Sequence, residues 1–125
     1  MDLERGRSGA PANDDNRRRV SVCYIVKNEA RHIEESLRSV VWADEIVVVD
    51  SGSDDGTIEI CRRYTDRVLH QDFLGHIEQK NFALDQATHD WVLSLDGDEV
   101  LSDDLADEIR SVLAAPAMIL VEEFL

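Results

Sequence analysis

The chain has 125 residues, of which 43% are hydrophobic, so it is long enough for one modest domain with a buried core. Its formal net charge is -14, and because residues 1–19 hold five Arg against four acidic residues, residues 20–125 carry a net charge of -15. So negative a domain excludes broad contact with a nucleic-acid backbone and attachment to anionic lipid through a polybasic patch.

Residues 1–19 are rich in Gly, Pro, Asn, Asp and Arg, and this composition predicts a disordered leader. The leader lacks the apolar stretch of a signal peptide, and no apolar run of the chain is long enough to span a bilayer. Cys23 and Cys61 fall in a predicted strand and a predicted helix. We therefore expect two buried free thiols in a protein of the reducing cytoplasm.

From residue 20 onward, strand and helix patterns alternate. The predicted strands are the apolar, largely β-branched segments 20–26, 45–49, 67–69 and 91–95. Apolar residues at helical spacing predict helices over 30–41, 56–64, 76–87 and 101–113. Four such β-α units predict an α/β domain over residues 20–115, with a mainly parallel sheet covered by helices on both faces.

The pattern also predicts how the second helix begins and which face of the third is buried. Asp54 or Asp55 is expected to cap the second helix at its N-terminus. In the third helix, Ile77, Leu84 and Ala87 are expected to face inward.

Polar residues follow three of the predicted strands. They are the segments 27–29, 50–57 and 96–99, and in a parallel sheet all three reach the same edge, where ligands of α/β proteins collect. Asp50 and Ser51 offer hydrogen bonds to a base edge or a ribose. Gly52 permits a tight turn and lets a ligand approach the backbone closely.

Asp96 and Asp98 stand on either side of Gly97, directly after the apolar strand 91–95. Two carboxylates at a strand end are hard oxygen ligands suited to Mg²⁺ or Mn²⁺. A diphosphate would be repelled by so acidic a domain unless a cation intervened. The sequence therefore predicts a divalent cation at Asp96 and Asp98, held against a diphosphate.

Simpler interpretations exist for each of these segments. The segment 51–56 can be only a turn with a helix cap, 96–99 only a turn with solvated acids, and Lys80 only a solvent-facing lysine. The four histidines share no metal-ligand spacing. The sequence also lacks a Gly-x-Gly-x-x-Gly fingerprint after the first strand, a Walker lysine motif, an EF-hand loop and a Gly-x-Ser-x-Gly elbow.

In chain order, the segments 26–29, 42–57, 79–84 and 90–99 resemble the motifs of family 2 glycosyltransferases, and most closely those of lipopolysaccharide-core β-glucosyltransferases. The resemblance covers about residues 20–113 and implies the Rossmann-like, nucleotide-binding half of a GT-A fold. It implies that Asp96 and Asp98 form the Asp-x-Asp pair that holds a Mg²⁺ or Mn²⁺ cofactor on a nucleotide-sugar diphosphate. The nucleotide-sugar-binding candidates are then Asn28, Glu29, Asp50, Ser51, Gly52, Lys80 and Asp96.

The activity implied by the resemblance is metal-dependent, inverting transfer of a sugar from a UDP-sugar to a saccharide or lipid-linked acceptor. An acceptor hydroxyl, deprotonated by a carboxylate, would attack the anomeric carbon. A lipid-linked acceptor would bring such an enzyme to the cytoplasmic face of the membrane. No residue of this chain is assigned as the catalytic base, because the resemblance places the base in a second half that binds the acceptor.

The sequence departs from the family in two respects. Residues 116–125 do not resemble the start of an acceptor-binding half and are expected to be an atypical tail. Gly97 stands where alanine is more usual. The alternative function is therefore a non-catalytic fragment that binds nucleotide sugar. A third interpretation, a GT-A-like nucleotidyltransferase, is less well supported, since such an enzyme would need a glycine-rich basic loop and residues 27–30 do not form one.

Overall fold

The computed structural model describes residues 1–5 and 17–115. Strands and helices alternate through most of this range, as the hydrophobic pattern predicts. The elements are β1 (Asp2–Arg5), β2 (Val20–Val26), α1 (Ile33–Arg38), β3 (Glu45–Asp50), α2 (Thr57–Cys61), β4 (Val68–His70), α3 (His76–Gln86), β5 (Trp91–Asp96) and α4 (Asp103–Ala114).

The five strands form one sheet in the order β1-β5-β2-β3-β4. The strands β5, β2, β3 and β4 are parallel, and β1 pairs with β5 in the antiparallel direction at the edge. Val26 pairs with Asp50, and Ile25 pairs with Asp96, so the carboxyl ends of β2, β3 and β5 lie side by side. The predicted α/β fold with a mainly parallel sheet is confirmed.

Helices cover both faces of the sheet, because alternate strand residues point to opposite sides. The larger core lies between the sheet and α1, α2 and α4, and includes Tyr24, Ile33, Leu93 and Ile109. The smaller core lies under α3, where Ala83 packs near Cys23, Val47 and Val92. The sheet therefore has an apolar core on each of its two faces.

The two cysteines are buried and free, as expected. Burial raises the pKa of the Cys23 thiol to about 12 and that of the Cys61 thiol to about 11. Both groups therefore stay protonated at neutral pH and pack as small apolar side chains.

The inner face of α3 differs from the prediction at one residue. Ile77 is 72% exposed, whereas Gln79 and Ala83 are buried. The reason is the Gln79 side chain, which accepts a hydrogen bond from the Leu74 N–H (3.1 Å) and donates one to the Gln71 carbonyl (2.9 Å). These bonds turn a polar residue inward and rotate Ile77 to the surface, while Leu84 and Ala87 do pack against the smaller core.

The N-terminal segment also differs from the predicted disordered leader. Asp2–Arg5 form the strand β1, and Leu3 is only 2% exposed, in the larger core. Further on, the Arg17 guanidinium donates to both carboxylate oxygens of Asp44, at 2.9 and 2.8 Å. Residues 6–16 of the leader and the predicted tail 116–125 lie outside the described residues.

The observed helices α1 and α2 are shorter than predicted, because their flanking residues form turns. Within the part of the chain that the structure describes, no helix combines the length and apolar character needed to cross a membrane.

Candidate functional site

A cleft of about 600 Å³ opens at the carboxyl ends of β2, β3 and β5. It brings together residues from all three predicted polar segments and from the start of α3. The lining residues are Ile25, Val26, Lys27, Glu29, Ser51, Phe73, His76, Gln79, Asp96, Gly97 and Asp98. Four of the predicted site residues therefore share this cleft, namely Glu29, Ser51, Asp96 and Asp98.

The turn after β5 exposes its two aspartates. The Glu99 side chain accepts a hydrogen bond from the Asp96 N–H (2.8 Å), and the Glu99 N–H donates to the Asp96 carbonyl (3.0 Å). Glu99 thus fixes the turn from two sides. The side chains of Asp96 and Asp98 remain exposed, and neither carboxylate has a hydrogen-bond or ion-pair partner among the described residues. Both are available to bind a cation.

Gly97 lies beneath Glu29. A Cβ atom at Gly97 would come within 2.8 Å of the Glu29 Cγ atom and within 3.0 Å of its Cβ atom, which is closer than such atoms approach. The absence of a side chain at Gly97 therefore lets Glu29 lie against the turn. Glu29 adds a third carboxylate to the same wall of the cleft.

The two aspartates provide only part of a coordination shell. Within residues 1–5 and 17–115, no group of three or more His, Cys, Asp or Glu side chains is arranged to hold a metal ion. Mg²⁺ commonly takes one or two carboxylates, several waters and phosphate oxygens of a substrate. Asp96 and Asp98 fit a cation that is completed by a phosphate ligand, rather than one enclosed by protein alone.

Asp50 lies behind the cleft rather than in it. Its side chain is 1% exposed and accepts hydrogen bonds from the N–H groups of Gly52 and Ser53, both at 2.8 Å, and from the Ser53 hydroxyl. Gly52 supplies the positive φ of 120° that this turn requires. The carboxylate that the resemblance places toward a base or ribose thus holds its own turn, and Ser51 is the residue of this pair that lines the cleft.

Asn28 connects the loop after β2 to the turn after β3. Its N–H donates to the Ser53 hydroxyl oxygen (2.8 Å), and its side-chain carbonyl accepts from the Asp54 N–H (2.9 Å). Asn28 itself adopts a φ of 55°, a left-handed conformation that asparagine tolerates better than most residues. It positions the two loops and does not line the cleft.

Asp55 and Thr57 provide a second connection between the same loops. The Thr57 hydroxyl accepts from the Glu29 N–H (2.9 Å), and Asp55 accepts from the N–H groups of Ala30 and Thr57, both at 3.1 Å. The hydrogen bond from the Thr57 hydroxyl lowers the pKa of the Asp55 carboxyl. Asp55 therefore satisfies the first N–H of α2, although Gly56 occupies the N-cap position.

Lys80 does not line the main cleft. Its ammonium pairs with the Asp2 carboxylate of β1, and this hydrogen bond lowers the pKa of Asp2. Lys80 faces a separate cavity of about 110 Å³, which also touches Asp96 and Glu99. The predicted basic residue is therefore close to the Asp96 turn, but the N-terminal strand already neutralises its charge.

Phe73, His76 and Gln79 are cleft residues that the sequence analysis did not single out. Phe73 is 56% exposed, and its ring lies 5.1 Å from that of His76 in an edge-on arrangement. The available signal was an aromatic residue in a polar loop directly after the third predicted strand.

Residues 21–120 match the model of the glycosyl transferase family 2. Over 99 residues the chain is 41% identical to an uncharacterized glycosyltransferase of Rickettsia bellii, covering 78% of this chain and 34% of that protein. Over 101 residues it is 35% identical to the lipopolysaccharide core biosynthesis glycosyltransferase LpsC of Rhizobium meliloti, covering 77% and 37%. The chain thus spans about a third of the length of these relatives.

Two similar solved structures contain nucleotide ligands. Staphylococcus aureus TarS 1-349 in complex with UDP-GlcNAc has a TM-score of 0.62 and 26% identity, covering 75% of this chain and 30% of that one. Glucosyl-3-phosphoglycerate synthase from Mycobacterium tuberculosis, in complex with Mg²⁺ and UDP, has a TM-score of 0.59 and 25% identity, covering 76% and 40%.

Proposed function

Because the chain belongs to glycosyl transferase family 2, we propose that it forms the donor-binding part of an enzyme that transfers a sugar from a UDP-sugar to a saccharide or lipid-linked acceptor. The observation that carries this proposal is the exposed pair Asp96 and Asp98, which has no partner among the described residues, in a cleft that also contains Ser51 and Glu29. The UDP-GlcNAc bound to TarS and the UDP and Mg²⁺ bound to the mycobacterial synthase support the choice of donor and cofactor.

In this proposal Asp96 and Asp98 hold a Mg²⁺ or Mn²⁺ ion on the donor diphosphate. The cation, when bound, stabilises the negative charge that develops on the leaving diphosphate. Glu99 keeps the turn in position by accepting the Asp96 N–H, so the two carboxylates need little rearrangement on binding. Lys27, which also lines the cleft, contributes positive charge toward the donor diphosphate.

The catalytic base and the acceptor site are proposed to lie outside residues 20–115. Glu99 already accepts the Asp96 N–H through one oxygen and pairs with the Met1 ammonium (3.3 Å) through the other. We therefore assign Glu99 the structural role of holding the turn, and not the role of the catalytic base. The transfer is expected to invert the anomeric configuration. A lipid-linked acceptor would place the protein at the cytoplasmic face of a membrane. The similarity to LpsC favours a role in lipopolysaccharide-core synthesis.

A second candidate function is binding of nucleotide sugar without transfer. The observation that favours it is the coverage, since the chain spans about a third of the length of its glycosyltransferase relatives. Transfer of a labelled sugar to saccharide or lipid acceptors separates the two candidates. Turnover supports the enzyme, whereas metal-dependent UDP binding without turnover supports the binding fragment.

The cation site is tested by calorimetry of UDP binding with Mn²⁺. Asp98→Asn removes one ligand charge and is expected to weaken binding at least about tenfold, because a cation site with two carboxylates loses half its protein charge. Asp107→Asn, on the exposed side of α4, is the matched control and should bind as the parent does. Chelation of the metal should bring the parent to the level of the Asp98 variant.

Equal UDP affinity in the parent and in Asp98→Asn would remove the cation site from the proposal. An equal loss in Asp107→Asn would show that the effect comes from overall charge rather than from coordination.

A further inference from the structure

Phe73 presents an aromatic ring to the same cleft as Asp96 and Asp98. It is 56% exposed, although large apolar side chains gain free energy when they are removed from water. Leu74 and Ile77 are also exposed, at 51% and 72%, but they do not line the cleft. The ring of Phe73 is therefore the apolar surface that a bound ligand would cover.

The loop that carries Phe73 is held in place on both sides. The buried Gln79 side chain accepts from the Leu74 N–H and donates to the Gln71 carbonyl, so it spans the residues flanking Phe73. The Phe73 and His76 rings meet at an interplanar angle of 74°, a favourable edge-to-face arrangement. The aromatic surface is thus formed before any ligand binds.

The sheet separates the strand that leads to Phe73 from the strand that leads to the aspartates. Phe73 follows β4, and β4 is separated from β5 by β2 and β3. With strands about 4.8 Å apart, the two strand ends are about 14 Å apart. In a nucleotide the ribose and base follow the diphosphate, so a cation that holds the diphosphate at Asp96 and Asp98 leaves the base further along the cleft. Ser51, at the end of β3, lies between.

The polar alternative for base recognition is not accessible. The Asp50 carboxylate is 1% exposed and its oxygens are occupied by its own turn. Of the described residues that line the cleft, Phe73 and His76 carry the aromatic rings. We propose that Phe73, supported by His76, stacks against the base of the nucleotide donor and so raises the affinity for donors that carry a base; this rests on the proposed function.

The test compares UDP with ribose 5′-diphosphate, which has no base, by calorimetry with Mn²⁺. Phe73→Ala should lower the UDP affinity by about 5- to 150-fold, the range for loss of one base–aromatic stack. Its affinity for ribose 5′-diphosphate should equal that of the parent. Phe73→Tyr, which keeps the ring, should retain UDP binding. Ile77→Ala is the matched control, because it removes a neighbouring exposed apolar side chain that does not line the cleft.

Three results would overturn the stacking role. They are unchanged UDP affinity in Phe73→Ala, an equal loss for UDP and ribose 5′-diphosphate, and an equal loss in Ile77→Ala. The second of these would indicate that Phe73 supports the diphosphate end or the loop itself. If the parent binds neither compound, the proposed function is wrong and the stacking role falls with it. If the parent binds UDP and only the stacking result is negative, the proposed function stands.

Discussion

Two acidic turns lie at the same edge of the sheet and use their carboxylates in opposite ways. In the turn after β3, Asp50 is buried and accepts hydrogen bonds from Gly52 and from both the N–H and the hydroxyl of Ser53. In the turn after β5, Asp96 and Asp98 are exposed and have no partner among the described residues. An acidic residue at a strand end is therefore not in itself a ligand.

The difference comes from the donors within reach of each turn. The first turn contains Ser53, whose hydroxyl and N–H both point at Asp50. In the second turn Glu99 takes the Asp96 N–H, and the aspartate side chains accept no hydrogen bond from any residue that the structure describes. A satisfied carboxylate stabilises the fold, and an unsatisfied exposed one is available for a ligand.

The largest expected effect is that of Asp50→Asn. The amide oxygen can replace Oδ2 and keep the bonds from the Gly52 and Ser53 N–H groups, but an NH₂ group then faces the Ser53 hydroxyl in place of Oδ1, and all three bonds lose their charged acceptor. We expect the free energy of unfolding to fall by about 3 kcal/mol, as measured by urea denaturation. A fall below about 1 kcal/mol would mean that Asp50 is not structural and would end the contrast between the two turns.

Glu45 extends the comparison to a satisfied carboxylate at the opposite end of β3. Burial alone would raise the pKa of Glu45, but hydrogen bonds from the Thr88 N–H, from the Ser21 and Thr88 hydroxyls and from Arg67 lower it to about 2. Because this pKa lies below the unfolded value, the stabilisation is complete above about pH 4.5 and is lost as the pH falls through 2.

Glu45→Gln should therefore lower the free energy of unfolding by about 2 kcal/mol at pH 7, and the difference from the parent should shrink steadily below pH 4.5. Denaturant titrations at several pH values measure this difference. A difference that stays constant down to pH 2 would show that the loss is steric rather than ionic.

Gly97→Ala tests the packing of the second turn at smaller scale. The new Cβ atom would displace Glu29 at its Cβ and Cγ atoms, which cannot swing away as the end of a long side chain can. We expect a loss of about 1 kcal/mol in thermal unfolding and a weaker response to Mn²⁺. No change in either measurement would indicate that Glu29 moves aside freely, and that alanine, the more usual residue of the family, fits here as well.

The smallest stability effect is expected for Asp98→Asn, the variant that should have the large effect on UDP binding. Its exposed carboxylate makes no described contact, so the free energy of unfolding should change by less than about 0.5 kcal/mol, with any change favouring the variant through reduced repulsion from Asp96. If Asp98→Asn lowered the free energy of unfolding in urea by several kcal/mol, Asp98 would be a structural residue like Asp50 and not a carboxylate available for a cation.

The sequence predicts the central sheet well because its strands are apolar on both faces. The predicted strand 20–26 is the observed β2, and β3 extends the predicted 45–49 by Asp50 alone. The family resemblance is confirmed by the match over residues 21–120, and with it the assignment to a GT-A-like fold. Continuous apolar runs and ordered motifs are local features of the sequence, so what they predict does not depend on contacts with distant parts of the chain.

The remaining features depend on contacts that local patterns do not encode. Leu3 is a single apolar residue between two acids, and its partner strand is distant in the chain, so the sequence predicts disorder where β1 forms. Periodicity places Ile77 on the inner face of α3 because it takes no account of the hydrogen bonds of Gln79. Likewise, the position of Asp50 at the end of a strand predicts at which edge of the sheet it lies. It does not predict which groups donate hydrogen bonds to its carboxylate.

The antiparallel edge strand has a consequence for the order in which the protein assembles. Asp2 pairs with Ser94, so β1 has to wait until the intervening 91 residues are synthesised before its hydrogen bonds to β5 form. Contacts between such distant parts of a chain form late, since a long loop has to close. Until then the outer side of β5 has unpaired backbone N–H and C=O groups. The growing chain is therefore most prone to self-association after β5 is complete and before Leu3 packs into the larger core.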